Sequence, residues 1–393
     1  MAVGVTYPRG FRAGGATGGI KASGRPDVAI VVADESATVA GVFTRSRTAG
    51  PPVALCRDHL ARSGGSARAV VVQSGNANVA TGRQGHEDAA TMAAVVAAAI
   101  GAAPVEVLVC STGVIGVPLP MDRVQAGIAG AIAALAADGD EAAALAILTT
   151  DAGPKVAGRA VVVDGAEVRV GGMAKGAGMI RPDLGTMIAV VTTDAVVEAA
   201  TLEAALRSAT AATFNRITVD GCQSTSDSVI VLASGASGVA LAAEVLTSLL
   251  TDVCRDLALA IVRDGEGARR IGRWEVVGAP DDTDADRAAR HVAEDQLVRC
   301  ALHGADPNWG RIVAALGVCG VAIEPDLLAI DVGGVALVRK GIGLPDGVAA
   351  AGEAARADEV HVRIDLGLGA GTATIWGSDL SAAYVIENSE YTT

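Results

Sequence analysis

Aromatic side chains are nearly missing from this chain: Phe, Tyr and Trp together make up 2% of its 393 residues. A core built on large rings is thereby excluded, and Ala, Val, Leu and Ile must supply it, with 49 glycines letting elements approach closely. An excess of basic residues is also absent. The formal charge of −13 lacks the positive footprint that nucleic acid requires, and acidity by itself points only to solubility. Although 51% of residues are hydrophobic, no apolar run reaches membrane length. The longest, Met92 to Val105, is Ala-rich, is interrupted by Pro104 and lies between acidic residues, which is too short for a spanning helix. The six cysteines form no Cys-x-x-Cys pair, and the five histidines show no metal-binding spacing, so neither a disulfide framework nor a metal site is indicated. No signal-peptide pattern opens the sequence, so a cytoplasmic protein with reduced cysteines and no membrane partner is expected.

What is present is an alternation of short apolar runs and Ala-rich amphipathic segments, an α/β pattern on a chain too long for one small core. Val28–Val32, Ala69–Val72 and Val107–Cys110 read as buried strands, and Glu87–Ile100, Leu119–Ala137 and Glu141–Leu148 as helices. Ala160–Gly172 reads as a hairpin turning at Asp164-Gly165. Further helices are expected at Leu202–Phe214, Leu241–Arg263 and Ala285–Asp295, and strands at Ile188–Thr193, Ile217–Val219 and Glu275–Val277. The polar stretch Gly278–Arg287 suggests a main domain over 1–280 and a smaller one over 281–393.

The richest segment is Lys175 to Met187, in which Thr186 follows the small residue Gly185 and precedes a strand. A threonine hydroxyl needs a base. If the Gly185–Thr186 peptide bond is cut, the new α-amine sits on the same residue and titrates near about 7.7–8.0, so one scission creates nucleophile and base together. On this segment alone, a strand-opening threonine is the stronger reading, because β-branched residues are common in strands.

Other segments carry chemistry beside an ordinary structural role. Ser111-Thr112-Gly113 follows a strand in what reads as a glycine-bearing loop, which can aim donors at an oxyanion or simply turn the chain. Thr149-Thr150-Asp151 ends a helical segment and suits either a substrate carboxylate or a polar helix terminus. Lys175, between Gly172 and Gly176, reads as an ammonium in a glycine-rich loop for a carboxylate, or as a solvated lysine. Glu266, in Asp264-Gly265-Glu266-Gly267, offers a carboxylate for an ammonium, or marks a helix C-cap with Gly265 in the left-handed region. Asp306 to Arg311 reads as a turn feeding a helix, and the polar ending Glu387 to Thr393 reads by composition as a frayed tail.

Taken together, these segments resemble the ornithine acetyltransferase (ArgJ) family. The matching pieces include Ser74-Gly75-Asn76-Ala77-Asn78, Ser111 to Gly116, Thr149-Thr150-Asp151, Met173 to Met179, Thr186-Met187, Asp264 to Gly267, Gly304 to Arg311 and Asn388 to Thr393, in family order. The resemblance implies an α/β fold, a layered α-β-β-α type sandwich with a smaller C-terminal α/β domain. It implies a precursor that cuts itself into chains 1–185 and 186–393, associated as α2β2. Thr186 would take the acetyl group of N-acetylornithine and pass it to glutamate, with Thr112 and Gly113 as the oxyanion hole. Thr150, Lys175, Thr186, Glu266, Asn388 and Thr393 match substrate-binding positions, which makes the tail part of the site. No cofactor is implied, and acetyl-CoA is a co-substrate for some members. Gly185 stands where most relatives have Ala and is small enough for cleavage to persist, and Gln73 stands where they usually carry Asn. The ending is also similar to that of paralogues in clavam-type secondary metabolism, and an N-terminal-nucleophile amidohydrolase shares the same nucleophile logic, so the acceptor stays open at this point.

Overall fold

The computed structural model describes residues 3–181 and 187–390. Gly185, Thr186 and Thr393 therefore lie outside the described residues. The chain divides into two compact units: one holds the described residues up to Asn215 together with Gln223–Ile261, the other Arg216–Cys222 and the described residues from Val262 onward. Contact packing thus divides the chain at 261/262, ahead of the expected boundary near 280. The reason is that the strand before that polar stretch, Ile271–Ala279, is hydrogen-bonded on both sides within the second sheet.

The first unit contains β1 (Phe11–Ala16), β2 (Val28–Phe43), α1 (Pro51–Ser63), β3 (Ser66–Asn76), α2 (Gly82–Ile100), β4 (Val107–Val114), α3 (Met121–Ala133), α4 (Asp140–Ala146), β5 (Lys155–Val163), β6 (Ala166–Lys175), β7 (Ile188–Thr193) and α5 (Ala199–Ala212). After β8 (Ile217–Thr218), which belongs to the second unit, come β9 (Ser228–Ala233) and α6 (Ala243–Arg263), the latter in the first unit as far as Ile261. Among the described residues its strands run β4-β3-β2-β9-β7-β6-β5, with β1 also on β2. The sixteen-residue β2 is shared. Its first half, Val28–Ala33, pairs with β1 and β3, and its second half, Thr38–Phe43, pairs with β9.

Alternation along the strands sorts the side chains into layers. Val28, Ile30, Val32, Ala69 and Val71 pack with Met92 and Val96 of α2 and Val124 and Ile128 of α3. Their neighbours Ala29, Val31, Val70 and Val72 point the other way and join Met173 of β6, Ile188 and Val190 of β7, and Ile230 and Leu232 of β9 in one buried cluster. The two halves of the sheet thus face each other across that cluster. Beyond the second half, Gly172 lies against the Leu257 side chain of α6, and α5 packs on β2 and β9. This is the layered α-β-β-α arrangement. With few aromatics, it closes through short side chains, so its layers sit tightly together.

The second unit holds β8, β10 (Ile271–Ala279), α7 (Asp282–Glu294), α8 (Gln296–His303), α9 (Trp309–Leu316), β11 (Ala329–Val332), β12 (Val335–Arg339), β13 (Ile342–Gly343), α10 (Val348–Ala354), β14 (Glu359–Asp365), β15 (Gly371–Ser378) and α11 (Ala382–Glu390). Its sheet order is β13-β12-β11-β14-β10-β15-β8, again mixed. Trp274, buried with Val292, Leu316 and Val362, is the one aromatic in its buried core among the described residues. Asn308 caps α9 by accepting the Arg311 N–H at 3.1 Å, so the Asp306–Arg311 turn feeds a helix as expected. Among the described residues, no helix is long and apolar enough to cross a membrane, and no group of three His, Cys, Asp or Glu could hold a metal.

Candidate active site

The oxyanion candidates lie on a strand rather than in a loop, because β4 continues through Ser111, Thr112 and Gly113 to Val114. Parallel pairing with β3 sets Ser74 beside Thr112 and Gly75 beside Gly113, and then slips, so that Asn76 faces both Thr112 and Val114. Such a bulge re-aims the groups next to it. Gly75 (φ +109) and Gly113 (φ +129) adopt left-handed backbone here, and a Cβ on Gly113 would overlap the Gly75 carbonyl carbon and the Asn76 nitrogen. No other residue type satisfies both demands. The end of β4 is held by Asn76, whose Nδ2 donates to the Val117 and Pro118 carbonyls at 3.0 and 3.3 Å. We expect Gly113→Ala to destabilise the fold by more than about 1 kcal/mol, through the overlap with Gly75 and Asn76 and backbone strain. Thermal melts check this; an unchanged melting temperature would contradict it.

Lys175 is also on a strand: it ends β6, rather than standing in a loop, and is 8% exposed. Its Nζ donates to the Thr112 hydroxyl at 3.3 Å, joining the two halves of the sandwich at one point. Across the sheet, Lys175 pairs with Ile188 at the start of β7, the strand that begins two residues after Thr186 in the sequence. The backbone turns sharply just after it, at Gly176 (φ +152).

Asp151 anchors this point. The carboxylate is 2% exposed, and its Oδ1 accepts from Lys155 Nζ at 2.6 Å and from the Gly176 N–H at 2.6 Å, while Oδ2 accepts from the Thr149 N–H at 2.9 Å. Burial alone would raise its pKa, but Lys175, Lys155 and these hydrogen bonds outweigh burial and hold it well below the usual carboxylate range. Lys21 stands nearby. Its Nζ donates to the Pro26 carbonyl at 2.6 Å and to the Ala146 carbonyl at 3.4 Å, and Ala146 O also accepts the Ser74 hydroxyl at 2.6 Å. Burial lowers the Lys21 ammonium to about 8, against the pull of Asp27 and with added repulsion from Lys175. The chain has four lysines, Lys21, Lys155, Lys175 and Lys340, and three of them gather around Asp151. Sequence reasoning singled out only Lys175. The scarcity of lysine was the signal that could have found the others. Thr150, beside Asp151, is half-buried on the same segment, past the end of α4.

In the second unit, Glu266 is 9% exposed and accepts the Asn388 Nδ2 at 2.8 Å. Gly267 (φ +65), not Gly265, takes the left-handed position after α6, and the Ser381 hydroxyl donates to its carbonyl at 2.7 Å. The tail expected to fray by composition is helical as α11 through Glu390, which brings Asn388 to Glu266. The structure thus brings together Thr112, Gly113 and Lys175 in one unit, and Glu266 and Asn388 in the other.

Comparison with known proteins matches nearly the whole chain. The ArgJ family model matches residues 12–393. The arginine biosynthesis bifunctional protein ArgJ of Mycobacterium leprae is 46% identical over 398 residues, covering 99% of this chain and 96% of the relative. That of Thermosynechococcus vestitus is 44% identical, covering 99% and 98%. Among solved structures, the ArgJ protein of Bacillus halodurans is 38% identical with a TM-score of 0.51, covering 52% of this chain and 100% of its own. On the length of that match and the level of identity, this chain belongs to the ArgJ family.

Proposed function

We propose that this protein is a self-cleaving glutamate N-acetyltransferase of arginine biosynthesis, moving the acetyl group of N-acetylornithine to glutamate through an acetyl-Thr186 intermediate. The observation that carries the reading is the Lys175–Thr112 contact, which sets an ammonium and a hydroxyl together at the head of the strand that follows the 185/186 bond. Family membership over the full chain supports the activity named for its relatives. The solved Bacillus halodurans chain is matched over its entire length while covering 52% of this one, close to the share that the 186–393 product of a cut between Gly185 and Thr186 would have.

In this reading the Thr186 amine takes the proton from its own hydroxyl as that oxygen attacks the acetyl carbonyl. The carbonyl oxygen becomes negative and is met by donors at Thr112 and Gly113. The C–N bond breaks, the leaving amine of ornithine collects the proton, and the acetyl group stays as a threonine ester. Glutamate's amine then attacks the ester carbonyl with the oxyanion donors acting a second time; the ester C–O bond breaks, a proton from the attacking amine passes by the Thr186 amine to the Thr186 oxygen, and N-acetylglutamate leaves. Thr150 and Lys175 hold a substrate carboxylate, Glu266 with Asn388 holds an ammonium, and Thr393 completes the set. The acetyl group travels on the protein, so the cycle needs no cofactor; acetyl-CoA enters only as an alternative donor. The two chains, 1–185 and 186–393, remain associated, as α2β2, in the cytoplasm.

Intact-mass measurement after incubation with N-acetylornithine tests the mechanism. The 186–393 chain is expected to gain one acetyl group, which glutamate removes. An unmodified chain under turnover conditions would refute the ping-pong route, and release of free acetate without an acceptor would favour a hydrolase.

A further inference from the structure

Gln73 lies one residue ahead of the Ser74-Gly75-Asn76 bulge and is fully buried. Its register partners are Val28 on β2 and Ser111 on β4. By strand alternation it shares the face of Val71 and Val109, the face covered by α2 and α3, whereas Ser74 points to the opposite side, toward Ala146. Gln73 is therefore behind the strand that carries Thr112 and Gly113, screened from any substrate by the sheet.

From there its Nε2 donates to the Asn76 carbonyl, three residues on. That bond spans the bulge and ties its two ends. The bulge is also the surface on which Gly113 rests, since a Cβ on Gly113 would overlap Gly75 and Asn76. Gln73 Oε1 and Ser111 Oγ, also on this face, are buried with no hydrogen-bonding partner among the described residues. A buried polar side chain in an apolar layer is costly unless bonded. At Gln73, the one side-chain bond it donates among the described residues goes to the bulge.

We propose that Gln73 is a positioning residue for the oxyanion hole: its amide clamps the β3 bulge, and the bulge sets where the Thr112 and Gly113 donors point. The proposal rests on the oxyanion reading of Thr112 and Gly113. It acts through geometry alone, so it bears on the chemical step and not on substrate affinity.

The test uses the cut, two-chain protein and single-turnover acetylation by N-acetylornithine, followed by intact mass. Gln73→Met keeps the length and removes the donor. The acetylation rate is expected to fall roughly 10- to 100-fold, as for displaced catalytic groups, with the donor concentration at half-maximal rate changed less than about two-fold. Gln73→Asn, which keeps an amide one methylene shorter, is expected to recover part of the rate. If Gln73→Met fails to fold, Gln73→Asn alone decides: a reduced rate at unchanged half-saturation supports the clamp, and a wild-type rate overturns it. Thr112→Ala is run in parallel. A wild-type rate in Thr112→Ala would mean that the oxyanion reading itself is wrong. A slow Thr112→Ala beside an unaffected Gln73→Met would overturn the clamp only. A lowered melting temperature with wild-type acetylation kinetics in Gln73→Met would likewise reduce Gln73 to a structural residue.

Discussion

Thr186→Ala is expected to remain a single 393-residue chain and to lose acetyl transfer by on the order of 10⁴-fold or more. The size of the effect follows from two roles meeting in one residue. In the proposed mechanism its hydroxyl is the group that attacks, first at the Gly185 carbonyl and later at the acetyl carbonyl, and the amine freed by the first attack is the base for the second. Alanine removes the hydroxyl and, by preventing the cut, the amine as well. Denaturing gels and intact mass read the cleavage, and acetyl transfer to glutamate reads the chemistry. Serine in place of Thr186 keeps a hydroxyl and should restore a two-chain product at a reduced rate. Two fragments from the alanine variant, or an uncut chain that transfers acetyl groups, would contradict the mechanism. Gly185 is expected to permit the cut, because glycine carries no side chain to hinder attack at its carbonyl.

Asp151→Asn is expected to destabilise the first unit by about 3–5 kcal/mol, the cost of breaking a buried ion pair from one side. This corresponds to a drop in melting temperature on the order of 10 °C. The substitution is nearly isosteric, so the loss is of charge: Lys155 is bonded to this carboxylate at 2.6 Å, and Lys175 is held in its field. The same change at Asp256, whose partner Arg159 is 43% exposed like itself, should cost less than about 1 kcal/mol. Equal melting of the Asp151 variant and the wild type would show that the lysine cluster does not depend on its carboxylate.

The pH dependence has a definite sign. The folded-state pKa of Asp151 lies below its ordinary value of 3.8. Its contribution is therefore complete at pH values above 3.8 and is lost as the pH falls from there through the lowered folded value. Melting of the wild type should decline more steeply with acid than melting of Asp151→Asn, and the two curves should converge at low pH.

The short, β-branched apolar runs Val28–Val32 and Ala69–Val72 and the Asp164-Gly165 turn determine by themselves where β2, β3 and the β5–β6 hairpin fall, because strand propensity and a turn requiring positive φ are local properties. The order of motifs along the chain likewise determines the family, and with it the pairing of Thr186 with a small preceding residue. Local pattern stops short of three features. Thr112 and Lys175 read as loop residues because glycine flanks them, yet both lie on strands. Those glycines serve close approach between β3 and β4 and the sharp turn after β6, which are long-range demands. Asp151 gave no sign of its weight, since its partners Lys155, Lys175 and Gly176 come from segments with no shared period. The boundary near 280 marked a polar turn, while the packing that divides the units depends on which strands pair with β10. Sequence by itself determined the family and named the candidate residues; only the tertiary structure decided that a carboxylate, three of the chain's four lysines and a bulged strand pair converge, because strand pairing and charge balance act between residues far apart in the chain.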